Sequence, residues 1–117
     1  MTRTLTFLPA DNARFVLLWN AFHSGGNMVY RPQQGQRPRD ERAKEARVIK
    51  TLLALSQVTD EATKGRALLP EGGTLSLSQP LHELLVTYCA AAPFPTVISL
   101  EMNDLLDWVS AADKVEN

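Results

Sequence analysis

Few side chains in this sequence could carry chemistry, and their spacing limits what that chemistry would be. His82 and Cys89 stand seven residues apart in a stretch with helical periodicity. Two helical turns separate them, too far to share one metal ion or to act as a thiol and its base. His23 is remote from both, so no metal-ligand set is legible, and Cys89, beside Tyr88 in apolar sequence, reads as a core thiol. Asp104 and Asp107, three apart, and Glu101 with Asp104 would share one helix face, where paired carboxylates can act as acid and base. Acidic residues early in a helix more often serve its dipole and its solubility. A further use of Asp104 and Asp107 is as a phosphate mimic directed at a basic host protein. Gly25-Gly26 and Gly72-Gly73 belong to no phosphate-binding loop pattern and read as turn glycines. No constellation supports catalysis, so the chain is read as a non-enzyme with no cofactor and no metal.

The substantial ligand-contact candidate is cationic. Arg31, Arg37, Arg39, Arg42, Lys44, Arg47 and Lys50 run from a Gly- and Pro-containing stretch into a helical one. Such a run can track a phosphate backbone, with Tyr30 placed to stack on a base. Arg37, Arg39, Arg42, Arg47 and Lys50 are the residues assigned to a nucleic-acid or acidic-surface contact. Against a dedicated nucleic-acid binder, the net charge is only -1 and the isoelectric point is about 6.1. That near-neutrality hides a division. Residues 1–50 hold nine Lys/Arg and four Asp/Glu, a balance of +5, whereas residues 51–117 hold three and nine, a balance of -6. Opposite halves fit head-to-tail association between subunits, or charges neutralised within one molecule.

The elements that must position these residues read as mainly α, with α+β the alternative. The pattern is a small bundle of about four helices with short extended segments near 4–8 and 68–77. Thr4-Leu5-Thr6-Phe7-Leu8 alternates as a strand does and stops at Pro9. Asp11 stands as N-cap to a helix over about 11–23, with Phe15, Leu18, Trp19 and Phe22 on its apolar stripe. Residues 24–38, with three glycines and two prolines, read as a flexible loop in which Met28, Val29 and Tyr30 form an apolar island. A second helix spans Arg39–Gln57, its apolar face set by Ala46, Ile49, Leu52, Leu53 and Ser56. Residues 58–66 read as a polar connection. Two extended pieces around Gly72-Gly73 suggest a small hairpin. Ser78 and Ser99 read as caps of the last two helices, Pro80 sits in the first turn of one of them, and Thr96-Val97-Ile98 reads as a brief extended segment. The tail 113–117 is expected to fray.

With 117 residues, 44% hydrophobic and 21% charged, the chain has ordinary globular composition and the size of a single domain, taken as 1–117. Its longest apolar run, Phe15 to Trp19, is five residues, far short of the roughly 20 that a membrane helix needs. No membrane contact is therefore expected. No secretory leader is legible at the N-terminus, and the lone cysteine suits a reducing cytoplasm.

Residues 71 to 112, opening Glu71-Gly72-Gly73-Thr74-Leu75-Ser76-Leu77 and closing Leu105-Leu106-Asp107-Trp108-Val109-Ser110-Ala111-Ala112, resemble the C-terminal part of small uncharacterised proteins of tailed bacteriophages and prophages. The resemblance implies a bacterial cytoplasm during infection, or association with the virion, and a role in assembly or in host-directed binding. It carries no catalytic residue. The reading that follows is a non-enzymatic phage-type protein that self-associates or docks on a larger protein assembly. Phe15, Trp19, Met28 and Tyr30 are assigned to the partner, which is either a second copy or a phage or host protein. The alternatives are a nucleic-acid-binding regulator that uses the basic 37–50 segment, and an inhibitor of a host nucleic-acid enzyme.

Overall fold

A computed structural model describes residues 2–30, 39–60, 62, 65–93 and 96–115. Among them are four α-helices and two small antiparallel sheets, so the protein is mainly α with an α+β arrangement. The chain runs through β1 (Thr2–Phe7), α1 (Asn12–Tyr30), α2 (Arg39–Ala54), β2 (Ser56–Asp60), β3 (Gly65–Leu68), β4 (Gly73–Ser78), α3 (Gln79–Ala91), α4 (Ser99–Ser110) and β5 (Asp113–Val115).

In β1 the alternation foreseen near residues 4–8 sends Leu5 and Phe7 inward and leaves Thr6 outside. β4 repeats it with Leu75 and Leu77, and the antiparallel register sets Leu5 opposite Leu75 and Thr6 opposite Thr74. One sheet face is therefore apolar and the other polar, and a shift of one residue would reverse both. β1 is the central strand, because β5 pairs with its second edge, Thr4 opposite Asp113 and Thr2 opposite Val115. Of the tail 113–117 expected to fray, residues 113–115 are thus strand, and 116 and 117 lie outside the described residues. That strand shields an edge that would otherwise present open backbone groups, and that partner lies more than a hundred positions away in the sequence.

α1 is longer than its sequence pattern suggests. It continues through Gly25 and Gly26 to Tyr30, so residues 24–30 of the expected loop are helical, and the remainder, 31–38, lies outside the described residues. The two glycines are buried where α1 crosses α3. A Cβ on Gly25 would overlap the Tyr88 carbonyl, and one on Gly26 would come within 2.9 Å of the Tyr88 ring. Close helix packing here outweighs the ~1 kcal/mol that each glycine costs a helix. At the other end, Asp11 precedes α1 as expected, but its carboxylate accepts the Leu8 N–H at 3.0 Å. Asn12 Oδ1 accepts the Leu68 N–H at 2.8 Å and joins the start of α1 to β3.

α2 buries Glu45, Val48 and Leu52, while Ala46, placed on the apolar face by spacing, is exposed. The buried face is rotated because the neighbours decide it: α2 lies on α3 and β4, and Glu45 faces inward beside Gly26. The helix stops at Ala54, short of Gln57, and Ser56 begins a hairpin in which β2 pairs with β3. Most of the expected polar connection at 58–66 is therefore strand. Nor do β3 and β4 form a hairpin, since they join different sheets. Gly72, with φ +73°, occupies the turn between them under Phe7, where a Cβ would strike the Phe7 carbonyl.

α3 starts after Ser78 with Pro80 in its first turn, as foreseen, although the Ser78 side chain makes no cap hydrogen bond. It buries His82, Leu84, Leu85, Tyr88 and Cys89 and packs on the three other helices and both long strands. Thr96–Ile98 is a turn of 3-10 helix, not an extended piece. Ile98, not Ser99, is the N-cap of α4, whose buried stripe is Met102, Leu105 and Val109. Phe7 lies between α1 and α4, with ring centroids 5.7 Å from Phe15 and 5.1 Å from Trp108.

Candidate functional site

The aromatic residues assigned to a partner turn mostly inward. Phe15 is 1% exposed and belongs to the core. Trp19 is half-buried between Phe15 and His23, with centroids 6.4 and 4.5 Å away. Neither supplies surplus apolar surface, because α1 is covered on several sides by α3, α4 and β3. Met28 is 38% exposed. Tyr30 ends α1, and its side chain lies outside the described residues, as does Arg37.

The cationic residues behave differently. Arg39, Arg42, Arg47 and Lys50 are all exposed, and with Ala43 and Ala46 they cover the face of α2 opposite Val48 and Leu52. Helical spacing puts them on one side, and burial of Val48 and Leu52 turns that side outward. Among the described residues none of the four has a carboxylate at ion-pair distance; the nearby pair is Lys44 with Glu41, at 3.5 Å.

On α4 the burial of Met102, Leu105 and Val109 turns Leu100, Glu101, Asp104 and Asp107 to solvent, with Val97 before them. Val97 and Leu100 are 82% and 77% exposed, the largest such values among the exposed large hydrophobic side chains described. They lie off the buried stripe in sequence, which is a usable signal, but only the direction of the 3-10 turn shows that no described residue buries them. Glu101, Asp104 and Asp107 have no ion-pair partner among the described residues. Arg14 lines a hollow with Glu101, Asp104 and Leu17. Its guanidinium is held 4.8 Å over Trp108 and 4.0 Å from Asp11.

Three further groups bear on chemistry. Burial pushes the Cys89 thiol up from its ordinary value of 9.0 to about 12, which leaves little thiolate for nucleophilic use. His82 is buried; its Nε2 lies 2.8 Å from the Val109 carbonyl and its Nδ1 accepts from Arg3 Nε at 3.4 Å. That geometry makes the ring a bridge from β1 through α3 to the end of α4, a contact that sequence spacing does not reveal. Among the described residues no group of three or more His, Cys, Asp or Glu side chains is gathered as a metal site. No described helix is long and apolar enough to cross a membrane.

The site is therefore a pair of outward helix faces, α2 basic and α4 acidic with an apolar end, on a small mainly helical α+β scaffold. No protein family, curated protein or solved structure matches this chain.

Proposed function

We propose that this chain is a non-enzymatic interaction protein that self-associates or docks on a larger protein assembly, with the outward face of α4 as its contact surface. The observation that carries the reading is the exposure of Val97 and Leu100 directly beside Glu101, Asp104 and Asp107. Two neighbouring aliphatic side chains held in water, rimmed by charges with no described ion-pair partner, have the composition of a contact patch: an apolar centre and a polar rim. The resemblance of residues 71–112 to phage and prophage proteins supports a setting in the bacterial cytoplasm or the virion. Light-scattering mass across a size-exclusion peak, at low salt and again at ~0.5 M salt, tests the reading, because salt screens exposed charge. A discrete oligomer free of nucleic acid that dissociates at high salt is expected. A monomer under both conditions, with no protein captured by contact with Val97 or Leu100, would sink the reading.

A second reading is a nucleic-acid-binding regulator, favoured by the four outward cations of α2. Its mark is co-eluting nucleic acid and an affinity that falls steeply with salt, with the slope reduced by Arg42→Ala and Arg47→Ala.

A further inference from the structure

We infer that the partner of the α4 face is the α2 face of a second copy of this chain, docked antiparallel so that Asp107 and Asp104 meet Arg39 and Arg42. The inference rests on the interaction reading above and names the occupant of that surface.

Charge complementarity comes first. Arg39, Arg42, Arg47 and Lys50 face solvent on one helix, Glu101, Asp104 and Asp107 on another, and none has an ion-pair partner among the described residues. The two faces cannot neutralise each other inside one molecule. α2 and α4 do not pack as a helix pair; each lays its buried stripe on α3, Val48 and Leu52 from one, Met102 and Leu105 from the other. Their outward faces therefore point away from the shared neighbour.

Spacing, the apolar end and the helix dipoles then set register and orientation. Arg39 and Arg42 are three residues apart, as are Asp104 and Asp107. With the helices antiparallel, Asp107 opposite Arg39 brings Asp104 opposite Arg42 and Leu100 opposite Ala46. Val97 then falls beside the methylene stem of Lys50, which can cover apolar surface while its ammonium stays in water. Glu101 falls next to Arg47. A parallel pair matches the same aspartates to Arg47 and Lys50, which are also three residues apart, but it sets Val97 against the charged Arg39-Asp40 end and brings the two positive helix ends together. Antiparallel packing also brings the negative end of α4 to the positive end of α2. Ala43 and Ala46 are small enough to allow the 8–10 Å axial separation of packed helices.

The donor and acceptor faces differ, so every copy carries one of each and association is head-to-tail: it closes into a ring or continues as a filament. One helix pair is a small contact beside the ~1,600 Å² of a standard interface, so a single junction is weak and salt-sensitive, and multiplicity supplies stability.

The test uses the full chain in two variants at exposed positions, each checked for native circular dichroism. The first is Asp104→Ala with Asp107→Ala, which disables the α4 face. The second is Arg39→Ala with Arg42→Ala, which disables the α2 face. Each alone is expected to associate at least tenfold more weakly than the unmodified chain. At low salt and high protein concentration a one-to-one mixture is expected to form a weak pair that stops at two copies, since one intact face of each kind remains. Disulfide capture between Leu100→Cys on one copy and Ala46→Cys on another fixes the register. Three outcomes would overturn the inference while leaving the interaction reading intact: association unchanged in either variant, no cross-link between Leu100→Cys and Ala46→Cys under conditions where the unmodified chain associates, or capture of a different protein on Val97 and Leu100. An unmodified chain that is monomeric at every salt concentration and binds no protein removes both. Elution with bound nucleic acid that Arg39→Ala with Arg42→Ala abolishes gives the α2 face another occupant and overturns it as well.

Discussion

Gly25 of α1 lies directly against the backbone carbonyl of Tyr88 in α3, with no space between the two helices for a side-chain carbon. Gly25-Gly26, which resembles a loop in the sequence, is thus a point of close approach between the two most extensively packed helices.

Gly25→Ala is accordingly expected to destabilise the fold. The added methyl meets rigid backbone, so α1 and α3 must separate, at about 1–3 kcal/mol for overpacking, partly offset by ~1 kcal/mol of better helix propensity. Gly26→Ala meets the edge of the Tyr88 ring at 2.9 Å and is expected to cost less. Urea denaturation of both variants checks the order; a Gly25→Ala protein as stable as the parent would refute the close approach.

His82 is expected to be worth more than its neighbours on α3 that face solvent. Its ring satisfies the Val109 carbonyl in the last turn of α4 and receives Arg3 from β1. His82→Ala removes buried ring volume and leaves that carbonyl without its ring partner, a loss of about 2–4 kcal/mol. Arg3→Ala, which removes two longer hydrogen bonds, to His82 and to the Ser110 carbonyl, from a half-buried position, is expected to cost about 0.5–1.5 kcal/mol. Thermal unfolding of the two single variants and the double variant would show the coupling, and strictly additive losses would deny it.

The Cys89 thiol is expected to resist maleimide in the native protein and to react once the chain is unfolded. Stability should follow the same cause. The folded thiol holds its proton to about 12 because burial disfavours the thiolate, whereas the exposed thiol ionises from 9.0 upward. Between those values the unfolded state binds fewer protons, so its contribution is flat below pH 9 and stability falls as pH rises above it, by up to about tenfold in the folding equilibrium per pH unit. Comparing the alkaline limb of the unfolding profile with that of Cys89→Ala isolates this part; identical limbs would contradict it.

Deleting residues 113–117 removes β5 and opens the second edge of β1. Faster hydrogen exchange at the amides of Thr2 and Thr4 is expected, along with greater aggregation from the bare edge. Unchanged exchange would mean that the β1–β5 pairing does not persist in solution.

Much of the scaffold is legible in local pattern. Alternation placed β1, and helical spacing placed the stripes of Leu18 and Phe22, of Leu84, Leu85 and Tyr88, and of Met102, Leu105 and Val109, because a core-facing side must be apolar at the period of its own element. The cluster of Arg39, Arg42, Arg47 and Lys50 was equally visible, since i, i+3 and i+4 neighbours share a face whatever the helix packs on. The elements misread depend on distant partners. Helix through Gly25-Gly26 requires the backbone of α3, strand at 113–115 requires the free edge of β1, and the rotation of α2 follows from its packing on α3 and β4. The amino-acid order by itself determined the periodicities, the turn at Gly72 and the division of charge between the halves. Only the tertiary structure decided which faces are left uncovered, Phe15 and Trp19 turned inward, Val97 and Leu100 turned out. A side chain's exposure is settled by the elements packed around it, and those neighbours come from remote parts of the chain.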